Sequence, residues 1–196
     1  MPNPRILAFD LGGVLATHDN SSLLAATGVT EETINLKYVV THFEQGSIDW
    51  ASFYKFARKQ FRVDCSEEAF CDAWKATVRL DIEMIGVLKA VTALGLGLAV
   101  MTNLDIVRAV ALQELLANQG LNNVTICCSG EFGYTKPSRS FFDSAAKQIG
   151  QPANSILLID DSDENVAAAS QYGLHAVRFS TVAQLRNELK CRTICI

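Results

Sequence analysis

The sequence predicts an α/β protein: a Rossmann-like parallel sheet core into which an α-helical cap subdomain is inserted. Three observations predict it. Short apolar runs end in polar or small residues, ILAF before Asp10, LGLAVM before Thr102, TICC before Ser129, SILLI before Asp160 and HAVRF before Ser180. Helix-period segments separate them: IEMIGVLKAVTAL, VRAVALQELLANQ, FFDSAAKQIG, ENVAAASQYG and VAQLRNEL. Strands alternating with helices make a parallel sheet covered on both faces, and such sheets bind ligands beyond the carboxyl ends of their strands. Third, residues 17–79 break the alternation, with TEETINLKYVVTHFEQG, DWASFYKFARKQF and SEEAFCDAWKATV reading as amphipathic helices and no strand between them. The expected division is therefore a core of residues 1–16 and 80–196, with residues 17–79 as a cap able to fold back over the end of the first strand.

Composition narrows the function. With 196 residues, 49% hydrophobic and 19% charged, the chain can bury one large core plus an insert. A formal charge of -4 without a Lys/Arg cluster offers no field for a polyanion, so no nucleic-acid partner is expected. The start, MPNPRILAFD, reaches an acid before a signal-peptide core could form, and no apolar run approaches the roughly 18 residues that span a bilayer. A cytoplasmic location without membrane partners is expected. Six cysteines without a C-x-x-C, beside three histidines, do not make a disulfide scaffold or a zinc site. Cys127 and Cys128 read as buried strand residues.

The candidate site residues all fall at strand ends or helix starts. Asp10 closes a buried strand, where a carboxylate requires a cation or several N–H donors, and the glycines after it let the backbone turn sharply. It suits a nucleophile, a metal ligand or both. Thr102 and Asn103 supply a hydroxyl and an amide for oxyanion contacts. Lys136-Pro137 is read as opening a helix, with the proline in its first turn, so that Lys136 brings full positive charge to a helix N-terminus where phosphate is favoured. Asp160 and Asp161 directly follow SILLI, and adjacent carboxylates repel unless a divalent cation lies between them. Oxygen-only ligands indicate Mg2+ rather than zinc. Asp163 and Glu164 are explained as first-turn acids complementing a helix dipole. A carboxylate nucleophile, Mg2+, a lysine and a hydroxyl together suit phosphoryl transfer.

FDLGGVL, MTN, the lysine of YTKPSRSFFD and IDDSDENV resemble, in order, the four motifs of the haloacid dehalogenase superfamily of hydrolases, and HFEQGSID resembles the turn that its small cap-bearing phosphatases carry. The resemblance implies an aspartyl-phosphate formed on Asp10, phosphate bound by Thr102, and a Lys136 that steadies nucleophile and phosphate. It also implies Mg2+ held by Asp10, Asp161 and the Gly12 carbonyl, with Asp160 and Asn165 in support. The expected substrate is a small phosphorylated metabolite.

Gly12 departs from that pattern, because the superfamily's commonest phosphatases carry there an acid that protonates the leaving oxygen. Its loss removes about 10²- to 10⁴-fold of rate, roughly 3 to 5 kcal/mol of barrier. Substrates whose leaving oxygen needs little protonation, such as an anomeric sugar phosphate, are then favoured. Glu44, His18 or His42 from the insert are candidates to replace the missing donor, Gly46 providing the turn that places Glu44. Two alternatives share these residues: a 2-haloacid dehalogenase, which the paired acids disfavour because carbon–halogen displacement needs no Mg2+, and a catalytically weakened phosphate- or partner-binding protein.

Overall fold

A computed structural model of the protein describes residues 4–18, 21–27, 37–61 and 63–196. Strand β1 (Ile6–Phe9) opens the chain, followed by β2 (Ala16–His18), helices α1 (Ser21–Thr27), α2 (Lys37–Glu44), α3 (Trp50–Phe61) and α4 (Glu67–Lys75), and β3 (Val78–Leu80). Then α5 (Ile82–Ala93), β4 (Gly97–Thr102), α6 (Ile106–Asn118), β5 (Val124–Cys128), α7 (Ser129–Phe132) and α8 (Arg139–Ile149) follow. The chain continues through β6 (Ile156–Asp160), α9 (Asp163–Tyr172), β7 (His175–Arg178) and α10 (Val182–Cys191).

Five strands form one parallel sheet in the order β5-β4-β1-β6-β7, so the most apolar runs of the sequence pair side by side. Alternation along each strand sends Leu7, Phe9, Val100, Leu157 and Ile159 to one face, against α5, α6 and α10. Ala8, Ala99, Met101, Cys127 and Leu158 go to the other, where Phe141, Phe142 and Ala145 of α8 cover them. Cys127 and Cys128 are buried in β5, and burial pushes the Cys127 thiol up to about 12. A thiol so protonated is a packing group.

Register fixes the site. Phe9 pairs with Val100 on one side and Ile159 on the other, so the residue after each strand end emerges on the same edge of the sheet. Strand order reverses between β1 and β6, and there the connections diverge to leave a crevice. Helices on that edge start on side-chain caps: Asp105 accepts from the Arg108 N–H, Ser138 from Phe141 and Ser162 from Asn165.

The insert departs from expectation at both ends. Instead of helices throughout residues 17–79, β2 and β3 pair antiparallel, Ala16 with Leu80 and His18 with Val78, closing the root of the insert as a two-stranded ribbon. Three residues carry too little period-2 alternation to register as a strand. The helix expected over TEETINLKYVVTHFEQG is present as α2, while residues 28–36 lie outside those described. The helical part has its own apolar cluster, in which the Phe43 and Phe53 rings stack at 4.4 Å and Phe53 meets Trp74 at 4.8 Å. Val107 of α6 packs on this cluster, joining insert to core. No helix among the described residues is long and apolar enough to cross a membrane.

Candidate active site

Asp10 follows β1 directly, its N–H donating to the Ile159 carbonyl at 2.8 Å. The chain then turns so tightly that the Leu11 carbonyl accepts from Val14, Leu15 and Ala16. The Leu11 N–H closes on Asp10 Oδ1 at 2.7 Å. Lys136 Nζ lies 2.9 Å from the same oxygen and 2.6 Å from Asp160 Oδ2. This ammonium is 1% exposed, Asp160 is 0% and the Asp10 side chain 13%, so one buried cation bridges two carboxylates, of which only Asp10 reaches solvent. Burial pushes the Asp10 carboxyl up, Lys136 pulls it down, and Asp160 adds to the rise.

Asp160 has every oxygen engaged. Oδ1 accepts from the Ser162 N–H at 2.9 Å and Asn165 Nδ2 at 3.0 Å, while Oδ2 takes Lys136 and a second approach of Asn165 Nδ2 at 3.2 Å. Its observed work is to hold the lysine. Asp161 is different: its half-buried carboxylate carries no hydrogen bond or ion pair among the described residues and rests against Gly13. Acid oxygens of Asp10, Asp160 and Asp161 all lie within 4.8 Å of one another. Three carboxylates against one ammonium leave two negative charges, and an all-oxygen donor set of that charge fits Mg2+.

The second glycine of the opening motif has a geometric reason that spacing alone did not supply. Gly13 adopts φ +71°, and a Cβ there would stand 2.4 Å from Asp161 Oδ2. Gly13→Ala is therefore expected to displace that carboxylate and to raise the Mg2+ concentration for half-saturation by about 10- to 100-fold, as a magnesium titration of activity would measure.

The Asn103 side chain bonds to the protein itself. Its Oδ1 accepts from the Lys136 N–H at 2.8 Å and its Nδ2 donates to the Lys136 carbonyl at 3.1 Å, so the side chain clamps the lysine's backbone. Thr102, the last residue of β4, is 3% exposed, and its hydroxyl has no hydrogen-bond partner among the described residues, which leaves it free for an oxyanion. The expectation that Pro137 starts a helix is corrected: the Lys136–Pro137 peptide is cis, and α8 begins at Arg139 on the Ser138 cap. What Lys136 offers is therefore its ammonium and not a helix start.

Of the residues proposed from the sequence, the structure brings Asp10, Lys136, Asp160 and Asp161 together, with Asn103 on Lys136, Asn165 on Asp160, and Thr102 at the end of β4, the strand beside β1. Glu44 is engaged elsewhere, Oε1 receiving Arg108 Nη2 at 2.6 Å. Burial pushes its carboxyl up against the pull of Arg108. His42 is half-buried on α2, and the side chain of His18 lies outside the described residues. Arg108, with Glu44, Asp105 and Trp74 around it, carries little local signal in the sequence beyond an acid three places before it at a helix start.

The strand order, the carboxylate at the end of the central strand and the buried lysine facing it define a class of hydrolase. A family model for haloacid dehalogenase-like hydrolases matches residues 4–173, and the chain belongs to that family. It is 26% identical to a sesquiterpene phosphatase of Aspergillus oryzae (strain ATCC 42149 / RIB 40), over 93% of this chain and 95% of that one. A drimenol cyclase of Aspergillus calidoustus is 23% identical over 94% of this chain, which spans 36% of that longer protein. Among solved structures, a haloacid dehalogenase family enzyme of Bacteroides thetaiotaomicron, in complex with magnesium and inorganic phosphate, superposes with a TM-score of 0.74 at 18% identity, covering 93% of this chain and 99% of that one. A phosphatase of the same family from Thermococcus onnurineus gives 0.63 at 16%, covering 94% and 97%. The protein is a hydrolase of this family.

Proposed function

We propose that the chain hydrolyses a small phosphorylated metabolite through a covalent phosphoryl group on Asp10. The observation that carries this is the Lys136 ammonium seated between Asp10 and Asp160, which leaves one oxygen edge of a strand-end carboxylate open beside uncommitted Asp161 and Thr102. Asp10 attacks phosphorus, the bond to the leaving oxygen breaks, and its electron pair departs with that oxygen. Water then attacks the same phosphorus and returns Asp10 as a carboxylate. Lys136 favours the ionised form of Asp10 for the attack and keeps the side chain oriented through both steps, and the Thr102 hydroxyl donates to a non-bridging oxygen. Mg2+ would be held by Asp10, Asp161 and the Gly12 carbonyl, where it neutralises charge on the transferring phosphoryl group. Residues 17–79 act as the cap that chooses the substrate.

Gly12 refines the substrate. Without an acid at that position the leaving oxygen must depart as a stable anion, which favours an anomeric sugar phosphate over an alkyl phosphate. The sesquiterpene phosphatase relative makes a terpenyl phosphate the second compound to try.

The test is phosphate release from p-nitrophenyl phosphate, whose phenolate leaves unprotonated, with Mg2+ and with EDTA. Activity with Mg2+ and none with EDTA is expected; equal rates would contradict the metal's part. In a panel of metabolites, anomeric phosphates should exceed alkyl phosphates by about 10²-fold in kcat. Equal rates on both would mean that a proton donor is present after all.

A further inference from the structure

Where α2 ends at Glu44, the chain folds back on itself, Gly46 (φ +68°) donating its N–H to the Phe43 carbonyl and Ser47 to that of His42, both at 2.9 Å. This turn is pressed against the core. A Cβ on Gly46 would stand 2.5 Å from the Gly130 carbonyl oxygen, and one on Gly130 would stand 2.9 Å from the Ile106 nitrogen. Two glycines thus let the insert, α7 and the start of α6 meet backbone to backbone.

Side chains lock the same seam. The Arg108 guanidinium reaches Glu44 Oε1 through Nη2 and Asp105 Oδ2 through Nε, each at 2.6 Å, and lies 4.4 Å over the Trp74 ring. The Trp74 indole N–H donates to Asp105 Oδ2 at 3.2 Å. Ser129 donates its hydroxyl to the Glu44 carbonyl and accepts from the Leu104 N–H at 2.9 Å. Arg108 and Asp105, 4% and 0% exposed, already neutralise one another. Glu44 is therefore not required to satisfy a buried charge; what its carboxylate adds is a tie from insert to core.

Every core partner in that tie leads to the loop after β4. Asp105 and Leu104 follow Asn103, Asn103 clamps the Lys136 backbone, and the Lys136 ammonium grips Asp10 and Asp160. We propose that Glu44, Arg108 and Asp105 are positioning residues that fix the 102–105 loop, and through it Lys136, when the insert is seated. The inference rests on the phosphatase reading. It gives Glu44 a task that does not involve proton transfer to substrate.

The experiment compares wild type, Glu44→Ala and Glu44→Gln, with melting temperature as a check on folding. Four quantities are read: kcat and KM for p-nitrophenyl phosphate with Mg2+, the pH profile, the inhibition constant of inorganic phosphate, and amide hydrogen exchange over residues 102–105. Glu44→Ala is expected to lose about 10- to 100-fold in kcat, to bind inorganic phosphate more weakly and to exchange faster over 102–105. Glu44→Gln, whose amide oxygen still accepts from Arg108, should return kcat to within about threefold of wild type. A folded Glu44→Ala with wild-type kcat and wild-type exchange at 102–105 overturns the proposal. So does a Glu44→Gln as inactive as Glu44→Ala with its basic pH limb lost, because Glu44 is then the proton donor. If the wild type releases no phosphate at all, the phosphatase reading fails by itself, and exchange over 102–105 alone decides whether the tie positions the loop.

Discussion

Asp10→Asn is expected to abolish phosphate release, by about a thousandfold or more in kcat, while the protein stays folded. The amide keeps the shape of the carboxylate and can still accept the Leu11 N–H, but it has no charge to place on phosphorus. Stability is expected to hold or rise. Lys136 remains paired with Asp160 at 2.6 Å, and the change removes a carboxylate that burial and Asp160 both disfavour. A variant of unchanged or higher melting temperature with no turnover would show a group retained for chemistry at a cost in stability. A variant that unfolds would make Asp10 a structural acid instead.

Lys136→Met is expected to do the opposite to stability and the same to activity. It leaves Asp10 and Asp160 facing one another without the ammonium, and breaking a buried ion pair by removing one partner costs about 3–5 kcal/mol. For a chain of this size that lowers the melting temperature by roughly 6–20 °C. The loss should depend on pH with a definite sign. Without the lysine nothing opposes the rise that burial imposes on the Asp10 carboxyl in the folded state, so the penalty is largest at neutral pH and is relieved as pH falls toward about 4. Urea unfolding of variant and wild type from pH 7 down to pH 4 measures this; a gap that widens on acidification would contradict it. Lys136→Met combined with Asp160→Asn should recover most of the stability and none of the activity.

What the sequence revealed follows from what is local. Asp10, Thr102, Asp160 and Asp161 were legible because each sits within a residue or two of an apolar run, and period and run length locate strand ends. The ribbon of β2 and β3 was not, since three residues alternate too little and Thr17 and His18 are polar. The charge of Lys136 is legible in the sequence but its setting is not: the proline beside it suggests a helix start, whereas the helix begins on the Ser138 cap. The position of Asn103 after the strand does not disclose that its amide pairs with the Lys136 backbone, thirty-three residues away in sequence. Glu44 and Arg108 are separated by sixty-four residues, and no periodicity couples such a pair. Contacts made across the seam between insert and core belong to the packing, so they become visible only once both parts are folded.

The central claim, that Asp10 itself takes up the phosphoryl group, is tested most directly by acid-quenching the wild type during turnover of a substrate labelled with radioactive phosphorus and locating the label by peptide mapping. With no acid at position 12 to activate water, the phosphorylated form should accumulate. Label is predicted on the peptide that contains Asp10, and none on Asp10→Asn. Turnover at full rate with an unlabelled wild-type protein, or with the label on another residue, would contradict the account.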